Sequence, residues 1–307
     1  MLYLKGSEFP RFVFVTPVRA GLAAGDAPFL PVANPWEAPW WRAHPSQRLI
    51  FVYLIVLHVL GALGLFLFPR PSVGVLLTAL IFAVLGGFGT TVAYHRALAH
   101  GALKLHPRLE QVLIFFAVWN GSGSPSSWVA NHRLHHAAAD KDDDVSSPKH
   151  GFWWSHLRWL YQRPDADSRR YCPDLASPRY ERWTRAQPFV VALSILAFAP
   201  FGLETLFWAG VLRLLFSLHG QCCVNSVAHM GRDADGKWGV PQNVWWLGPL
   251  QLAAWGENWH LNHHNDASSA RFGRGAFQVD IGWALIGLLE RLGLATAVRR
   301  PRVTQGG

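Results

Sequence analysis

Four stretches of the chain are apolar for long enough to cross a lipid bilayer. The first two, 49–68 and 73–94, contain no charged residue and are separated only by a Pro-Arg-Pro-Ser turn. About 20 apolar residues in a helix span the hydrocarbon core. A second pair, 188–203 and 205–224, meets at a single glutamate, and Arg213 lies inside its second member. This pattern predicts an all-α integral membrane protein with four transmembrane helices in two hairpins.

The basic residues give these helices an orientation. Residues 95–187 contain thirteen Lys or Arg, whereas the turns within the two hairpins contain one Arg. Cytoplasmic loops are enriched in Lys and Arg, so we expect both termini and this loop on the cytoplasmic side. The prediction is an N-terminal cytoplasmic segment (1–48) without a signal-peptide pattern and a single membrane domain (49–295). A cytoplasmic helical cap is expected from 95–187 together with 225–295, followed by a basic tail (296–307).

Composition supports a membrane protein over a soluble helical one. Half of the residues are hydrophobic and only 15% are charged, compared with about 25% charged in an ordinary soluble domain. The 16 Trp and 19 Phe are typical of chains that meet the membrane–water interface. The net charge of +9 is explained by basic cytoplasmic loops, so no nucleic-acid partner is expected.

Nine of the 15 histidines occur in short, regularly spaced groups. On a helix, positions i, i+3 and i+4 lie within about 100° of one another, so each H-x2-H-H motif directs three imidazoles to one place. A pair five residues apart diverges by about 140°, which favours two metals or a helix that ends between its members. The groups are His95 and His100; His132, His135 and His136; Asn225 and His229; and His260, His263 and His264. The other six histidines follow no local pattern.

These groups predict a site for two metal ions. Neutral imidazole binds iron, copper, nickel and zinc, and one zinc takes about four ligands, so nine histidines exceed the needs of a single ion. Haem would use histidine pairs inside the spans. Soluble di-iron bundles need two E-x-x-H motifs, of which Glu257-x-x-His260 is one, and zinc proteases need H-E-x-x-H. An all-histidine dimetal centre remains.

Longer motifs carry a family resemblance from about Arg42 to Ala295. The chain resembles the membrane fatty-acid desaturases of the Δ9 type, which include the stearoyl-CoA desaturases and the cyanobacterial acyl-lipid desaturases. The matching stretches are Gly89-Thr-Thr-Val-Ala-Tyr-His-Arg-x3-His100, Trp128-x3-His-Arg-x-His-His136, Gly151-Phe-x2-Ser-His156-x2-Trp159, Val224-Asn-Ser-x-Ala-His229, Gly256-Glu-x-Trp-His-x2-His-His264 and Ser269-Ala-Arg-x-Gly273.

The resemblance implies a role for each group of residues. The nine histidines would bind two Fe ions, with Asn225 reaching one of them through water and dioxygen as co-substrate. Acidic residues would orient the imidazoles by accepting their other N–H, although the aspartates also fit a solvated acidic turn: Asp140, Asp143, Asp144 and Glu257. Trp128 would line the acyl tunnel. Ser122, Gln221 and Cys222 replace other tunnel residues of the animal acyl-CoA enzymes, so chain length and double-bond position stay open.

The expected activity is that of an oxidoreductase, a fatty acyl desaturase that forms a double bond at a Δ9-like position. The acyl carrier is left open between CoA, carrier protein and lipid. No fused cytochrome domain follows residue 295, so electrons are expected in trans from a ferredoxin, rubredoxin or cytochrome. A fatty acyl hydroxylase with the same centre is the alternative within enzymes. A non-catalytic membrane protein that binds or transports metal is the alternative in another class. Transport would need polar or histidine residues inside the spans to form a path, and His58 alone does not make one.

Overall fold

The computed structural model describes residues 34–139, 141, 144–250 and 255–302. Asp140 and Asp143 therefore lie outside the described residues. The described chain is predominantly helical. Its α-helices are α1 (Arg48–Leu67), α2 (Val73–Phe88), α3 (Pro107–Trp119), α4 (Pro125–Ala138), α5 (Trp159–Gln162), α6 (Ser168–Tyr171), α7 (Pro178–Leu196), α8 (Leu203–Thr205), α9 (Arg213–Asn225), α10 (Leu247–Leu250), α11 (His260–Asn265) and α12 (Ile281–Arg291).

Shorter elements complete the backbone. Three segments are π-helical: Gly89–Ala99, Trp154–Arg158 and Leu206–Leu212. The 3-10 turns are Pro35–Glu37, Pro45–Gln47, Pro148–His150, Pro173–Leu175, Ala199–Phe201 and Val227–His229. Two antiparallel two-stranded sheets pair β1 (Lys104–Leu105) with β4 (Ala295–Thr296), and β2 (Gly231–Arg232) with β3 (Trp238–Val240).

Four continuous helical runs are long and apolar enough to cross a membrane, which confirms the predicted fold class. They are Pro45–Leu67, Val73–Ala99, Pro178–Phe201 and Leu203–His229. Many of their large apolar side chains face outwards: Phe66 is 80% exposed and Phe189 is 76% exposed. A soluble protein rarely exposes such contiguous apolar surface. A bilayer covers it, so the soluble helical alternative is wrong.

The π-helical segments extend two of these runs beyond their apolar stretches. α2 continues through Gly89–Ala99 and thereby carries His95. α8 continues through Leu206–Leu212 into α9, and the turn after it carries His229. In two hairpins the second and fourth helices end on the same side, so both ends deliver histidines to one region.

Close packing fixes α1 against the fourth membrane run, Leu203–His229. A methyl group on Gly64 of α1 would stand 2.8 Å from the Phe207 Cδ1 atom, and one on Gly61 would overlap Leu215. Small residues allow such close approach of membrane helices. α1 therefore lies directly on the run that ends at His229.

Arg213 ties three helices together inside the membrane domain. It is 2% exposed. Its Nη1 atom donates to Asn120 Oδ1 at 2.6 Å, and its Nη2 atom donates to the Ser194 carbonyl at 3.2 Å. Its Nε atom donates to the Ala209 carbonyl at 2.7 Å. A charge inside a span must be matched by such polar groups, and here they come from α7, the end of α3 and its own helix.

The three histidine motifs are called boxes here: the first is His95 and His100, the second is His132, His135 and His136, and the third is His260, His263 and His264. The second box stands on α4, whose start is well defined. Ser124 caps the helix by accepting a hydrogen bond from Ser127 N, and Pro125 occupies its first turn. Both features are typical helix starts. Apolar residues of α3, α4, the first π-helical segment and α12 form the largest buried apolar cluster among the described residues, including Val92, Ile114, Val118, Val129 and Ile286. This cluster therefore packs the two helical segments that carry His95 and His132 against each other.

Candidate metal centre

All nine patterned histidines converge, and they form two groups. Within each group the candidate ligand atoms lie within 4.8 Å of one another. The five-histidine group contains His95, His100, His132, His136 and His263, and the four-histidine group contains His135, His229, His260 and His264. Residues from all three H-rich motifs and from the last span thus meet at two adjacent places.

The five-histidine group joins the first and third boxes through the second. His263 Nε2 lies 3.0 Å from His95 Nε2 and 3.0 Å from His136 Nε2. His100 Nε2 lies 2.9 Å from His132 Nε2. His95 and His100 fall in the same group, because a π-helical turn, closed by i→i+5 hydrogen bonds, brings positions five apart together and the helix ends at Ala99. Of the two sequence-based alternatives, the helix end between them is the one observed.

The four-histidine group is built in the same way. His260 Nε2 lies 2.8 Å from His229 Nε2 and 3.1 Å from His264 Nε2. His135 Nε2 is buried and has no hydrogen-bond partner among the described residues. Buried polar atoms without partners are rare in native proteins, so this atom is poised for a ligand from outside the chain.

Hydrogen bonding between rings does not satisfy these contacts, whereas a metal ion does. An imidazole nitrogen carries either one proton or one lone pair, yet His263 Nε2 and His260 Nε2 each face two other ring nitrogens. Nitrogen ligands about 2.1 Å from one ion and at right angles are about 3.0 Å apart. The observed spacings of 2.8–3.1 Å match, so the residues fit a metal in each group.

The rings are held in the neutral form that metals require. Burial, followed by the charges of neighbouring histidines, lowers the pKa of His132, His260 and His263 well below 6.5. The same causes, together with Arg133, lower the pKa of His100. At neutral pH these rings keep free lone pairs.

Asp144 orients one ring of the four-histidine group. Its Oδ1 atom lies 2.9 Å from His135 Nδ1 and also accepts from Ser146 N. Burial acts to raise the pKa of Asp144, but the charge and hydrogen bond of His135 outweigh it and the net pKa is lowered. The carboxylate therefore fixes the proton on Nδ1 and leaves Nε2 free for the metal.

Glu257 holds the equivalent place behind the five-histidine group. Its Oε2 atom lies 2.7 Å from His95 Nδ1, while Thr91 Oγ1 donates to Oε1. Burial acts to raise the pKa of Glu257, whereas His95 and then Arg96 lower it, and the net shift is downward. Each group thus has one histidine backed by a carboxylate.

Arg96 and Asp280 connect the boxes, and the spacing of the sequence did not single them out. Arg96 is fully buried, and its Nη2 atom donates to Asp280 Oδ1 at 3.0 Å and to the Trp255 carbonyl at 3.0 Å. Its guanidinium lies 3.9 Å above the Phe272 ring. Arg96 stood within the first motif, but nothing near Asp280 marked it as its partner, since the two are 184 residues apart.

The remaining site predictions fall into two places. Ser122 Oγ lies 2.7 Å from Thr90 Oγ1, and Trp128 stacks on His132 with ring centroids 4.8 Å apart. Gln221 and Cys222 lie on the last turns of α9, where Gln221 Nε2 donates to the Ser217 carbonyl and Cys222 is buried. A tunnel that joins these places stays a prediction.

Asn225 is the last residue of α9 and is half-buried. It precedes His229, a member of the four-histidine group, by four residues. Its expected link to a metal through water stays a prediction.

Comparison with known proteins identifies the architecture. The family model described as fatty acid desaturase matches residues 70–269. The chain is 35% identical over 277 residues to the Delta-9 acyl-lipid desaturase 1 of Arabidopsis thaliana, covering 88% of each chain. It is 35% identical to the sn-1 stearoyl-lipid 9-desaturase of Anabaena variabilis (81% of this chain, 92% of that one) and 36% identical to the acyl-CoA 5-desaturase AL21 of Anemone leveillei (85% and 83%).

These matches confirm the resemblance carried by the histidine motifs. The family model spans residues 70–269, which contain all nine clustered histidines, and the named relatives align over more than four fifths of this chain. The protein belongs to the fatty acid desaturase family.

Proposed function

We propose that this protein is a di-iron, dioxygen-dependent acyl desaturase that forms a Δ9-like double bond. The observation that carries the proposal is the pair of adjacent all-histidine groups in a member of the desaturase family. Five imidazoles in one group exceed the four ligands usual for zinc. A redox-active metal with more coordination positions fits better, and imidazole suits iron.

The substrate explains why such a centre is needed. A methylene group in an acyl chain has no proton acidic enough for a side-chain base, so acid–base catalysis alone cannot remove its hydrogens. When bound, the two irons supply the oxidising power, drawn from dioxygen, to take hydrogen atoms from two neighbouring carbons. For each double bond, one dioxygen, two electrons and two protons are consumed together with the two hydrogen atoms, and two waters form.

The chain's own residues hold and position the reactants. The nine imidazoles bind the metals, while Asp144 and Glu257 fix the orientation of one ring in each group. We propose that Trp128 lines the acyl tunnel and helps to position the chain near the metals, on which the rate depends strongly; its stacking on His132 supports this role. Two of the three relatives named above are 9-desaturases, which supports the Δ9-like position.

The electrons are proposed to come in trans from a ferredoxin, rubredoxin or cytochrome on the cytoplasmic side. The loop between the hairpins presents exposed arginines that would attract an acidic redox protein: Arg169, Arg170, Arg182 and Arg185. The excess of Lys and Arg in this loop over the hairpin turns supports the same sidedness.

Fatty-acid analysis in a desaturase-deficient host tests the proposal. The host would express the parent, His263→Ala or His106→Ala, each with a compatible reductant. Double bonds would be located by mass spectrometry in each lipid class, and iron measured in the purified proteins. His106 is exposed and outside both groups, which makes it a matched control.

We expect a new monounsaturated chain and bound iron in the parent and the control, and neither product nor full iron content in His263→Ala. A hydroxylated chain in place of the monounsaturated one would show that the enzyme is a hydroxylase. Equal iron and product in parent and His263→Ala would refute the all-histidine centre.

A further inference from the structure

The third histidine box lies on a helix that is too short to be stable on its own. α11 has six residues, and no side chain caps its start. Isolated helices shorter than about 12 residues are marginal in water. Yet α11 supplies His263 to the five-histidine group and both His260 and His264 to the four-histidine group. Contacts from other parts of the chain must therefore hold this helix in place.

Asn262, which stands between the ligands on α11, makes four such contacts. Its Nδ2 atom donates to the Phe272 carbonyl at 2.9 Å and to Gln278 Oε1 at 2.8 Å. Its Oδ1 atom accepts from Asn243 Nδ2 at 2.9 Å, and its backbone N–H donates to Asn243 Oδ1 at 3.3 Å. A side-chain amide has two N–H donors, so Asn262 directs both of them to the segment that contains Phe272 and Gln278.

This segment, residues 272–280, is called the linking segment below, because it connects the third box with the first. Gln278 Oε1 accepts not only from Asn262 but also from Arg274 N at 2.7 Å and from Gly275 N at 3.2 Å. Gly273 fits the same turn, since a methyl group there would overlap the Gln278 carbonyl oxygen. One side-chain oxygen therefore both closes the turn and binds it to α11.

The linking segment is anchored to the first box by a different side chain. Asp280 is 8% exposed. Its Oδ2 atom accepts from Phe272 N at 2.8 Å, and its Oδ1 atom accepts from Arg96 Nη2 at 3.0 Å. Arg96 directly follows His95 in the chain. Asp280 thus fixes the linking segment to the first box, independently of the contact between Gln278 and α11.

Phe272 of the linking segment lies against ligands from both boxes. Its side chain is fully buried, and its ring centroid lies 4.5 Å from that of His263 and 5.1 Å from that of His95. The Nε2 atoms of these two histidines are 3.0 Å apart in the five-histidine group. A shift of α11 relative to the linking segment would therefore change the spacing of these metal-binding atoms.

We propose that Gln278 and Asn262 are positioning residues that fix α11, and with it ligands of both metal ions, relative to the first box. This role rests on the metal centre of the proposed function. It differs from the roles of Asp144 and Glu257, each of which contacts one ring of one group. Binding sites need their side chains held within about 0.5 Å of the productive geometry, so loosening α11 weakens both metal sites together.

The contact itself is tested in the metal-free, full-length protein. Gln278→Met keeps the length of the side chain but removes its acceptor oxygen, whereas Gln278→Glu keeps an oxygen for the same three N–H groups. Gln111→Met is the matched control, because Gln111 Oε1 accepts from Trp183 Nε1 at 3.0 Å and Gln111 lies outside both groups. We expect amide hydrogen exchange in α11, measured by mass spectrometry, to be about tenfold faster in Gln278→Met than in the parent. Gln278→Glu and the control should exchange at the parent rate.

Iron retention tests the consequence for the metal centre. Iron per chain would be measured against graded chelator for the parent and the same variants. Interactions that orient metal ligands are worth about 10–100-fold in affinity. We expect Gln278→Met to release iron at about 10–100-fold lower chelator concentration, with both ions leaving in one step because α11 serves both groups. Gln278→Glu should follow the parent curve. Asn262→Ala breaks the same contact from α11 and repeats the test in case Gln278→Met does not fold.

The outcomes separate a positioning role from a purely structural one, and this proposal from the proposed function. A folded Gln278→Met that retains iron as Gln111→Met does would show that Gln278 only stabilises a turn, and would overturn the proposal. Unchanged hydrogen exchange in α11 would overturn it as well. A parent that binds no iron would refute the proposed di-iron function, while the exchange comparison would still decide whether Gln278 holds α11.

Discussion

Asp144 and Glu257 each accept a hydrogen bond from a histidine nitrogen that faces away from the metal groups. Removing the charge of Asp144 leaves the His135 ring less basic and less firmly oriented. We expect Asp144→Asn to weaken metal binding at the four-histidine group by about 10–100-fold, with the five-histidine group retained. Iron per chain after dialysis against graded chelator measures this.

Glu290→Gln is the control for that experiment, because Glu290 forms a partly exposed ion pair with Arg300, and neither residue belongs to or adjoins a histidine group. A chelator curve for Asp144→Asn that overlays the control curve would show that the carboxylate does not support the metal. A two-step curve, with half of the iron lost early, is the expected result.

At the scale of residues, the sequence predicted what local spacing encodes. The two H-x2-H-H motifs fixed six histidines, and Glu257 was recognised because it stands three residues before His260. The Arg96–Asp280 pair and the His58–His219 contact join residues 184 and 161 positions apart. No periodicity links such positions, so only the folded chain reveals them.

Among the helices, the contact of α1 with the π-helical segment before α9 depends on Gly64. A larger side chain there meets Phe207 at once, and overpacking typically costs about 1–3 kcal/mol. We expect Gly64→Leu to lower the thermal unfolding midpoint in detergent. Gly74→Leu is the matched control, since a methyl at Gly74 meets nothing within 4 Å. Equal midpoints for both variants would show that α1 does not pack as described.

Arg213 links α9 to α7 and to the end of α3 through a planar group with several donors. Lysine keeps the charge, but all its donors are on a single nitrogen. The buried acceptor atoms of Ser194 and Asn120 would therefore lose hydrogen-bond donors. We expect Arg213→Lys to lower the unfolding midpoint clearly more than Arg182→Lys, where the parent side chain is exposed. An unchanged midpoint would indicate that these hydrogen bonds do not stabilise the fold.

At the same scale, hydropathy located the spans but not the full helices. α7 begins at Pro178, ten residues before the apolar run that starts at 188. Hydropathy does not detect these first turns, because they carry charged residues such as Arg179 and Glu181. The π-helical geometry around His95 was also invisible, since counting at the α-helical period separates His95 from His100. Both cases concern helix that continues past the membrane segment.

For the whole molecule, topology explains why distant boxes meet. Two hairpins return the ends of the second and fourth helical runs to one side, and those ends carry His95 and His229. α4 and α11 add the other two boxes from the same side. The number of spans, readable from hydropathy, therefore determines that the histidines share one region, whereas their division into five and four needed the structure.

The burial of so many neutral imidazoles makes the metal-free protein sensitive to acid. Burial is the largest cause that lowers the pKa of His100, His132, His136, His260, His263 and His264 in the folded chain. The unfolded chain binds protons at these rings as the pH falls below 6.5, while the folded chain does not. The free energy of unfolding therefore falls on acidification, by about 1.4 kcal/mol per pH unit for each ring.

We accordingly expect the unfolding midpoint of the metal-free protein to fall steeply from pH 7 to pH 5. Bound metal should flatten this profile down to the pH at which protons displace it, because the ligated rings are held unprotonated. His263→Ala, stripped of metal, should show a shallower slope than the parent, since one titrating ring is gone. A flat profile for the metal-free parent would mean that the clustered histidines are already open to solvent in the absence of metal.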